Sequence, residues 1–177
     1  MNPLLSSIFS TGFAFAVLRV MTPLLFPALG VAISEMAGSI NIALEGIMLM
    51  SAFVGVIVSA FTGSLILALL AGLSAGILMG ALLAYFHLKM KADIILAAIA
   101  LGMFASGMSI FLLYLITGDK GSTSSLQSLV FPSIEIPLLK SIPILGAIFS
   151  GHNILTYVAL IFVPLFSVLM FKTPLGL

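Results

Sequence analysis

The sequence predicts an all-α fold, namely a polytopic integral membrane helix bundle with about five transmembrane segments. Of its 177 residues, 62% are apolar and only 6% are charged, whereas a soluble domain needs about 25% charged residues to solvate its surface. Mean hydropathy is +1.39. The apolar residues form five long runs, each close to the roughly 20 residues that a helix needs to cross the hydrocarbon core of a bilayer.

The five apolar runs define the predicted helices. The first contains Arg19, Pro23 and Pro27. No Lys or Arg precedes Arg19, so this run lacks the basic start of a cleaved signal peptide and is expected to be retained as a helix. The predicted segments cover residues 8–33, 42–62, 64–87, 93–117 and 153–171.

The connections between these segments are also readable. Thr62-Gly63-Ser64 is a minimal turn between the second and third helices, and residues 89–93 form a short charged turn between the third and fourth. Residues 118–152 form one long loop, and its three prolines exclude a regular helix through it. The apolar run at 134–144 is expected to pack against the membrane surface or a partner.

The lysines indicate an orientation. Those of the turn at 89–93 would share one side with Lys172, while Lys120 and Lys140 would lie on the other. Because positive charge favours the cytoplasm, we place the short turn inside and the loop at 118–152 outside the cytoplasm. The N-terminus falls outside if the first run crosses once, and inside if its two prolines turn it back. The sequence leaves both open.

Small residues recur every fourth position on three predicted helices. Close backbone approach along such ridges is a main source of helix association in lipid, although glycines can also fall in register by chance. The ridges predict a compact bundle and say nothing about chemistry. They comprise Ala68, Gly72, Gly76, Gly80 and Ala84 in the third helix, Ser51, Gly55, Ser59 and Gly63 in the second, and Ala98, Gly102 and Ser106 in the fourth.

The segment at 34–46 carries most of the chemical information. Glu35, Asn41 and Glu45 lie there between apolar runs, with no Lys or Arg nearby. A carboxylate on a helix in the hydrocarbon costs roughly 2.5–3.5 kcal/mol, so such a residue tends to face a cavity, a partner or the interface. We predict that these three side chains lie near a solute path and that Gly38 and Gly46 permit close backbone approach beside them.

Each carboxylate also has a purely structural interpretation. Glu35 would simply be solvated if residues 34–41 form an interfacial loop. Ser39 or Asn41 could cap the second helix, and Glu45 would then complement the helix dipole in its first turns. Glu45 falls four residues after Asn41, and at that spacing we expect the two side chains to share one helix face.

The same segment resembles a known signature. The run Ser-Glu-Met-Ala-Gly-Ser-Ile-Asn-Ile-Ala-Leu-Glu-Gly at 34–46 is similar to that of ABC importer permeases of the ribose and branched-chain amino acid class, above all to the nucleoside-uptake (simple sugar transport) branch. Sugar permeases of the class usually carry Gly-Ile-Asp-Leu-Ser at this place. The stretches at 19–25, 136–146 and 171–177 agree with the resemblance.

The resemblance implies a multi-pass permease subunit of the bacterial cell membrane that imports a small polar solute, most characteristically a nucleoside. Its expected partners are a second permease subunit, cytoplasmic ATP-binding subunits, an external substrate-binding lipoprotein and the lipid bilayer. Residues 1–177 would form a single transmembrane permease domain. Family members are longer, so the chain is expected to be the N-terminal part of such a permease.

Other chemistry is not expected. The chain has no Cys and no Gly-rich Lys-Ser/Thr phosphate loop, and its two His have no partner in sequence. We therefore predict no catalytic site, no metal and no cofactor, and the absence of a basic patch argues against nucleic acid. Three alternatives stay open: a permease for a sugar such as ribose, a non-transporting scaffold, and a secondary carrier that uses Glu45 or Glu35 for coupling, with Arg19 as a partner.

Overall fold

The computed structural model of the protein describes residues 10–39, 41–118, 121–135, 146 and 148–173. Five helices in this part of the chain are long and apolar enough to cross a membrane, which confirms the predicted all-α membrane fold. A π-helical turn, Tyr85–Lys89, directly continues the third helix. The five helices are α1 (Thr11–Met36), α2 (Leu44–Thr62), α3 (Leu65–Ala84), α4 (Ile94–Thr117) and α5 (Ile154–Lys172).

The first helix is continuous. Pro23 and Pro27 both lie inside α1, as membrane helices permit when neighbouring groups satisfy the freed backbone. Its 26 residues extend for about 39 Å, which exceeds the roughly 30 Å of the hydrocarbon core. The alternative in which the prolines turn this segment back is therefore wrong, and a single crossing fits the helix.

The tight turns form as their residue types predict. Gly63 ends α2 with φ of 61°, a left-handed conformation that suits glycine. The Ser64 hydroxyl then accepts a 3.5 Å bond from the backbone N–H of Leu67 and caps α3. At the next turn, the Asp93 carboxylate accepts bonds of 2.9 and 3.1 Å from two N–H groups in the first turn of α4.

The small-residue ridge of α3 packs against α2 over part of its length. A Cβ built on Gly72 would lie 3.0 Å from the backbone oxygen of Ser51, and one built on Gly76 would lie 2.8 Å from its Oγ. No atom lies within 4 Å of a Cβ built on Gly80. The ridge is therefore a packing surface, as predicted, but its end around Gly80 has no close neighbour.

The chain divides into two compact units, and residues 33–130 form one of them. Here α2, α3 and α4 pack around a shared core, while many large apolar side chains on the outer faces are exposed, among them Ile77 at 72% and Met103 at 73%. Such large exposed apolar surfaces mark contact with a membrane or a partner. The core consists of Ala43, Met79, Leu83, Ala98, Leu101 and Ala105.

The other unit comprises the described parts of 1–32 and 131–177 and contains most of α1 together with α5. The hydroxyl oxygens of Thr22 and Thr156 lie 3.0 Å apart and are buried. Phe15 stacks on the buried ring of His152 with centroids 4.0 Å apart. These contacts join α1 to α5. The single-domain prediction for 1–177 stays a prediction.

A short antiparallel pairing lies within the predicted loop at 118–152. Strands β1 (Ser133–Ile134) and β2 (His152–Asn153) pair Ser133 with Asn153, and the Tyr157 hydroxyl lies 3.1 Å from the Ile134 carbonyl oxygen. The sequence did not indicate this pairing. Most of the apolar run at 134–144 lies outside the described residues.

Candidate functional site

Glu35 lies in the last turn of α1. The first helix was predicted over residues 8–33, and it continues three residues further. Glu35 is therefore helical, and the alternative in which it stands in an interfacial loop is wrong. The helix continues to Met36 because Gly38, with φ of +76°, is the first residue to leave the helical region. The N–H of Ser39 bonds the carbonyl of Ser34 and that of Gly38 bonds Glu35, both at 2.9 Å, which is the Schellman arrangement of a helix end.

Gly38 serves this helix end and not a close contact. A Cβ built on it would meet no atom of the described residues within 4 Å, and its place beside a solute path stays a prediction. The helix end requires a residue with positive φ at this position, and glycine adopts that conformation without the steric cost that a Cβ imposes. Glu35 itself is exposed.

The start of α2 also differs from the expectation. The residue that precedes the helix is Ala43, with no side-chain cap, so neither Ser39 nor Asn41 caps it. Ala43 is only 1% exposed and belongs to the α2–α3–α4 core; burial fixes this helix start without a capping side chain. Because Asn41 precedes the helix, the shared helix face with Glu45 does not exist. Glu45 does lie in the first turn of α2, where the helix dipole favours an anion.

Gly46 makes a close contact with another helix, and its predicted place beside the solute path stays a prediction. A Cβ built on it would lie 2.8 Å from the Cα of Gly102 in α4. Gly102 is eight residues beyond the first residue of α4, Ile94, and therefore about 12 Å along that helix. Gly46 is itself two residues, or about 3 Å, beyond the first residue of α2, Leu44. Since two tight turns make α2 and α4 run in the same direction, α2 begins about 9 Å further along the bundle than α4.

With the first residue of α4 taken to lie at the membrane surface, this offset puts the irregular backbone before α2 within the membrane. Such backbone is tolerated there only where it is buried in protein or lines a water-filled cavity. In this turn the Asn41 side-chain oxygen is buried without a hydrogen-bond partner. A buried acceptor without a partner costs free energy, and a donor from a solute or from water would remove that cost.

Glu45 and Gly46 line a cavity of about 450 Å³ between α2 and α4. A second cavity of about 460 Å³ follows along the same two helices and reaches Gly121 and Thr123. Ser106 lines both, so we describe them together as the α2–α4 groove. The α4 residues that line it run from Ala98 to Leu113, a distance of about 22 Å along the helix.

The polar groups of the α2–α4 groove are sparse and mostly hydrogen-bond acceptors. The Ser106 hydroxyl donates to the Gly102 carbonyl at 3.0 Å, and the Ser109 hydroxyl donates to the Ser106 carbonyl at 3.0 Å. Each hydroxyl oxygen keeps lone pairs that can accept from a ligand. Glu45 forms no ion pair with any described residue. The groove can thus bind a solute that offers hydroxyl or N–H donors.

Sequence reasoning missed the serines of the groove. Ser106 was assigned only to a packing ridge, and Ser109 was not singled out. Their position on the same stripe of α4 as Gly102 was a usable signal. Among the described residues, no group of three or more His, Cys, Asp or Glu side chains could hold a metal ion.

Five helices in the described part of the chain are long and apolar enough to cross a membrane, and three of them, α2, α3 and α4, pack through glycine contacts. These features define a multi-pass protein of the cell membrane. The chain belongs to the family described as branched-chain amino acid transport system / permease component, and the match covers residues 13–177. The family consists of membrane components of transport systems and not of enzymes. This confirms the resemblance seen in the signature at 34–46.

Three characterised relatives are similar over most of this chain. It is 36% identical over 171 residues to a guanosine ABC transporter permease from Bacillus subtilis, covering 92% of this chain and 52% of the relative. It is 31% identical over 163 residues to a nucleoside ABC transporter permease from Lactococcus lactis, covering 88% and 50%. A protein provisionally named a glucose ABC transporter permease, from Haloferax volcanii, is 29% identical over 174 residues, covering 96% and 50%.

The chain therefore spans about half the length of the curated relatives it matches. No solved structure matches it significantly.

Proposed function

We propose that the chain forms part of the membrane-spanning permease of an ATP-driven importer, and that the α2–α4 groove lines the path of a small polar solute. One observation carries this proposal. The start of α2 lies about 9 Å further along the bundle axis than the start of α4, beside a cavity lined by Glu45 and Gly46. Interrupted helices whose ends lie within the bilayer commonly surround solute sites in transporters.

The dimensions of the groove support a path. Its length of about 22 Å along α4 is a large part of the roughly 30 Å hydrocarbon core. Each cavity falls within the range of about 300–1,000 Å³ that is typical of small-molecule sites. Glu45 stands near the deep end, Ser106 at the junction and Thr123 at the far end.

A nucleoside is the solute class that we favour. Two of the three relatives are named for guanosine or nucleoside transport, and one for glucose. A nucleoside offers ribose hydroxyl donors and usually N–H donors on the base, and these complement acceptors that line the groove, such as the Glu45 carboxylate and the Ser106 hydroxyl oxygen. Asn41, whose side-chain oxygen is buried without a partner, lies in the turn just before them. Glu35 lies at the end of α1 before the same turn, and we assign it to the polar surroundings of the path.

The partners follow from the family as proposals. An ATP-driven importer of this family requires ATP-binding subunits and a substrate-binding protein, and a second permease subunit would supply the facing wall of the groove. With the lysines of the turn at 89–93 in the cytoplasm, the loop at 118–152 is extracytoplasmic. The groove then runs inward from Thr123 toward Glu45.

The secondary-carrier alternative rests on the same carboxylate. A carboxylate at membrane depth can couple transport to protons, as acidic residues do in many pumps and carriers. The two mechanisms differ in what drives accumulation, so an energetics measurement separates them.

The test uses the complete transporter, with its ATP-binding and substrate-binding proteins, in proteoliposomes. We expect accumulation of labelled guanosine that depends on ATP, survives a protonophore and exceeds accumulation of ribose or glucose. Accumulation that follows an imposed proton gradient without ATP would replace the importer with the carrier. A preference for ribose or glucose would retain the importer but change its solute.

A further inference from the structure

A second groove lies on the outer side of the α3–α4 hairpin and is almost wholly apolar. Its volume is about 520 Å³. On one side it is bounded by the end of α3 with its π-helical turn, and on the other by the first turns of α4. We call it the hairpin groove, and it is lined chiefly by Leu82, Phe86, Ala92, Leu96, Ala100 and Phe104.

Two lysines lie in the turn that joins the two sides of the hairpin groove, Lys89 and Lys91. Ala92, which lines the groove, stands directly between Lys91 and Asp93 in the sequence, and its N–H bonds the Phe86 carbonyl at 3.0 Å. Lys89 and Lys91 are both exposed and form no ion pair with a described residue. The Asp93 carboxylate caps α4 and is held by the N–H groups of that helix. The Lys89 ammonium lies 5.8 Å from the centroid of the Tyr85 ring, a cation–π distance that leaves its N–H groups able to bind an anion. Two ammonium groups therefore stand beside one engaged carboxylate.

The local backbone is unusual at this place. The π-helical turn Tyr85–Lys89 widens the end of α3, and π-helical insertions are rare and frequent at functional sites. Lys91 adopts φ of 53°, the only non-glycine residue with positive φ among those the structure describes. A lysine gains nothing sterically from this conformation, so a Gly or Asn would terminate the helix at lower cost.

We propose that the hairpin groove binds an anionic phospholipid, with the phosphate at Lys89 and Lys91 and one acyl chain along the apolar lining. The lining extends to Phe104, ten residues beyond the start of α4 and thus about 15 Å along that helix. One leaflet of the hydrocarbon core has about the same thickness, half of roughly 30 Å. Clustered lysines at a membrane surface favour anionic lipids. This binding is independent of the solute that is carried.

The structural alternative is that the two lysines only complement the helix dipole at the C-terminal end of α3. That role stabilises the helix equally in any lipid. Selectivity for an anionic headgroup therefore separates the two interpretations.

The experiment uses the absence of tryptophan in the chain. A Phe104→Trp variant of the full chain is placed in phosphatidylcholine bilayers, and its tryptophan fluorescence is measured. Brominated phosphatidylglycerol and brominated phosphatidylcholine are then added in separate samples, and the quenching that each lipid causes is compared. We expect phosphatidylglycerol to be preferred by about fivefold to twenty-fivefold, since each lysine near an anionic lipid contributes about a factor of five. An Ile161→Trp variant reports an exposed apolar position on α5 and should show no preference.

Matched charge variants complete the test. Lys89→Gln with Lys91→Gln should abolish the preference at Phe104→Trp, whereas Lys172→Gln, at the end of α5, should preserve it. Helix content, measured by circular dichroism, must be the same in all variants. If the double variant does not fold, the single variants Lys89→Gln and Lys91→Gln replace it, and each should reduce the preference. Equal quenching by the two lipids in the unaltered charge background would overturn the proposal. A preference that survives loss of both lysines would do the same.

Discussion

Gly46 at the start of α2 lies against Gly102 in the middle of α4, and a Cβ built on Gly46 would lie 2.8 Å from the Gly102 Cα. Real Cβ atoms do not approach backbone so closely, so only glycine fits at Gly46 without a shift. This contact sets the depth at which α2 begins. It also places Glu45, one residue earlier, on the wall of the α2–α4 groove.

The Gly46 contact predicts a large difference between two similar substitutions. Gly46→Ala forces α2 away from α4 and should lower the free energy of unfolding by about 1–3 kcal/mol, as overpacking does. Gly80→Ala adds the same methyl group where no atom lies within 4 Å, and should be neutral or stabilise by up to about 1 kcal/mol. Unfolding in mixed micelles, followed by circular dichroism, measures both. Equal effects would mean that α2 and α4 do not meet at Gly46.

The contact between α2 and α3 predicts a rescue. A Cβ on Gly76 would lie 2.8 Å from Ser51 Oγ but 4.0 Å from Ser51 Cβ. Gly76→Ala should therefore destabilise the protein by about 1 kcal/mol or more, and Ser51→Ala should remove most of this cost by removing the oxygen. The same unfolding assay applied to the single and double variants tests it. Additive effects of the two changes would contradict this packing.

The Thr22 and Thr156 hydroxyls predict a small coupling between α1 and α5. Their oxygens lie 3.0 Å apart, and hydrogen bonds between membrane helices contribute about 0.6 kcal/mol on average. A double-mutant cycle with Thr22→Val and Thr156→Val should yield a coupling of this size. Thr62→Val paired with Thr156→Val provides the control. The Thr22 and Thr62 hydroxyls both donate to a carbonyl of their own helix, but of the two only Thr22 is also bonded to Thr156, so the coupling of the control pair should be zero within error.

The orientation predicts opposite labelling of two loops. The chain contains no Cys, so Lys91→Cys and Ser124→Cys each provide a single thiol at an exposed position. On intact cells, a membrane-impermeant thiol reagent should label Ser124→Cys and spare Lys91→Cys. Both should react after the cells are opened. The reverse pattern on intact cells would invert the proposed orientation. It would also contradict the proposal that the α2–α4 groove runs inward from Thr123 toward Glu45.

The sequence predicted the helices well because hydropathy and length determine membrane spans. Four of the five begin or end within about two residues of the expected positions, and the turns at Gly63 and Asp93 follow from their residue types. The first helix was misjudged at its end because Ser34 and Glu35 are polar yet can continue a helix. Gly38, with its positive φ, ends the helix instead.

The site was harder to predict because tertiary packing decides it. Ala43 precedes α2 without a capping side chain since it is buried among α3 and α4 residues, and no local pattern shows that burial. Gly46 and Gly102 are two of many small residues on α2 and α4, and nothing in the sequence shows that these two meet. The groove and the role of Ser106 in it follow from that crossing, and only the polar residues of the segment at 34–46 were visible in the sequence.

Uptake by a Glu45→Gln variant of the complete transporter tests the central claim most directly. Asp93→Asn is the matched control, because Asp93 is also a carboxylate at a helix start but does not line the α2–α4 groove. Initial rates of ATP-dependent guanosine uptake are divided by the amount of transporter in the membrane. We predict at least about a tenfold loss per molecule for Glu45→Gln, the factor for 1.4 kcal/mol at a hydrogen-bonding group, and little change for Asp93→Asn. Unchanged uptake per molecule in Glu45→Gln would contradict the assignment of this groove to the solute path.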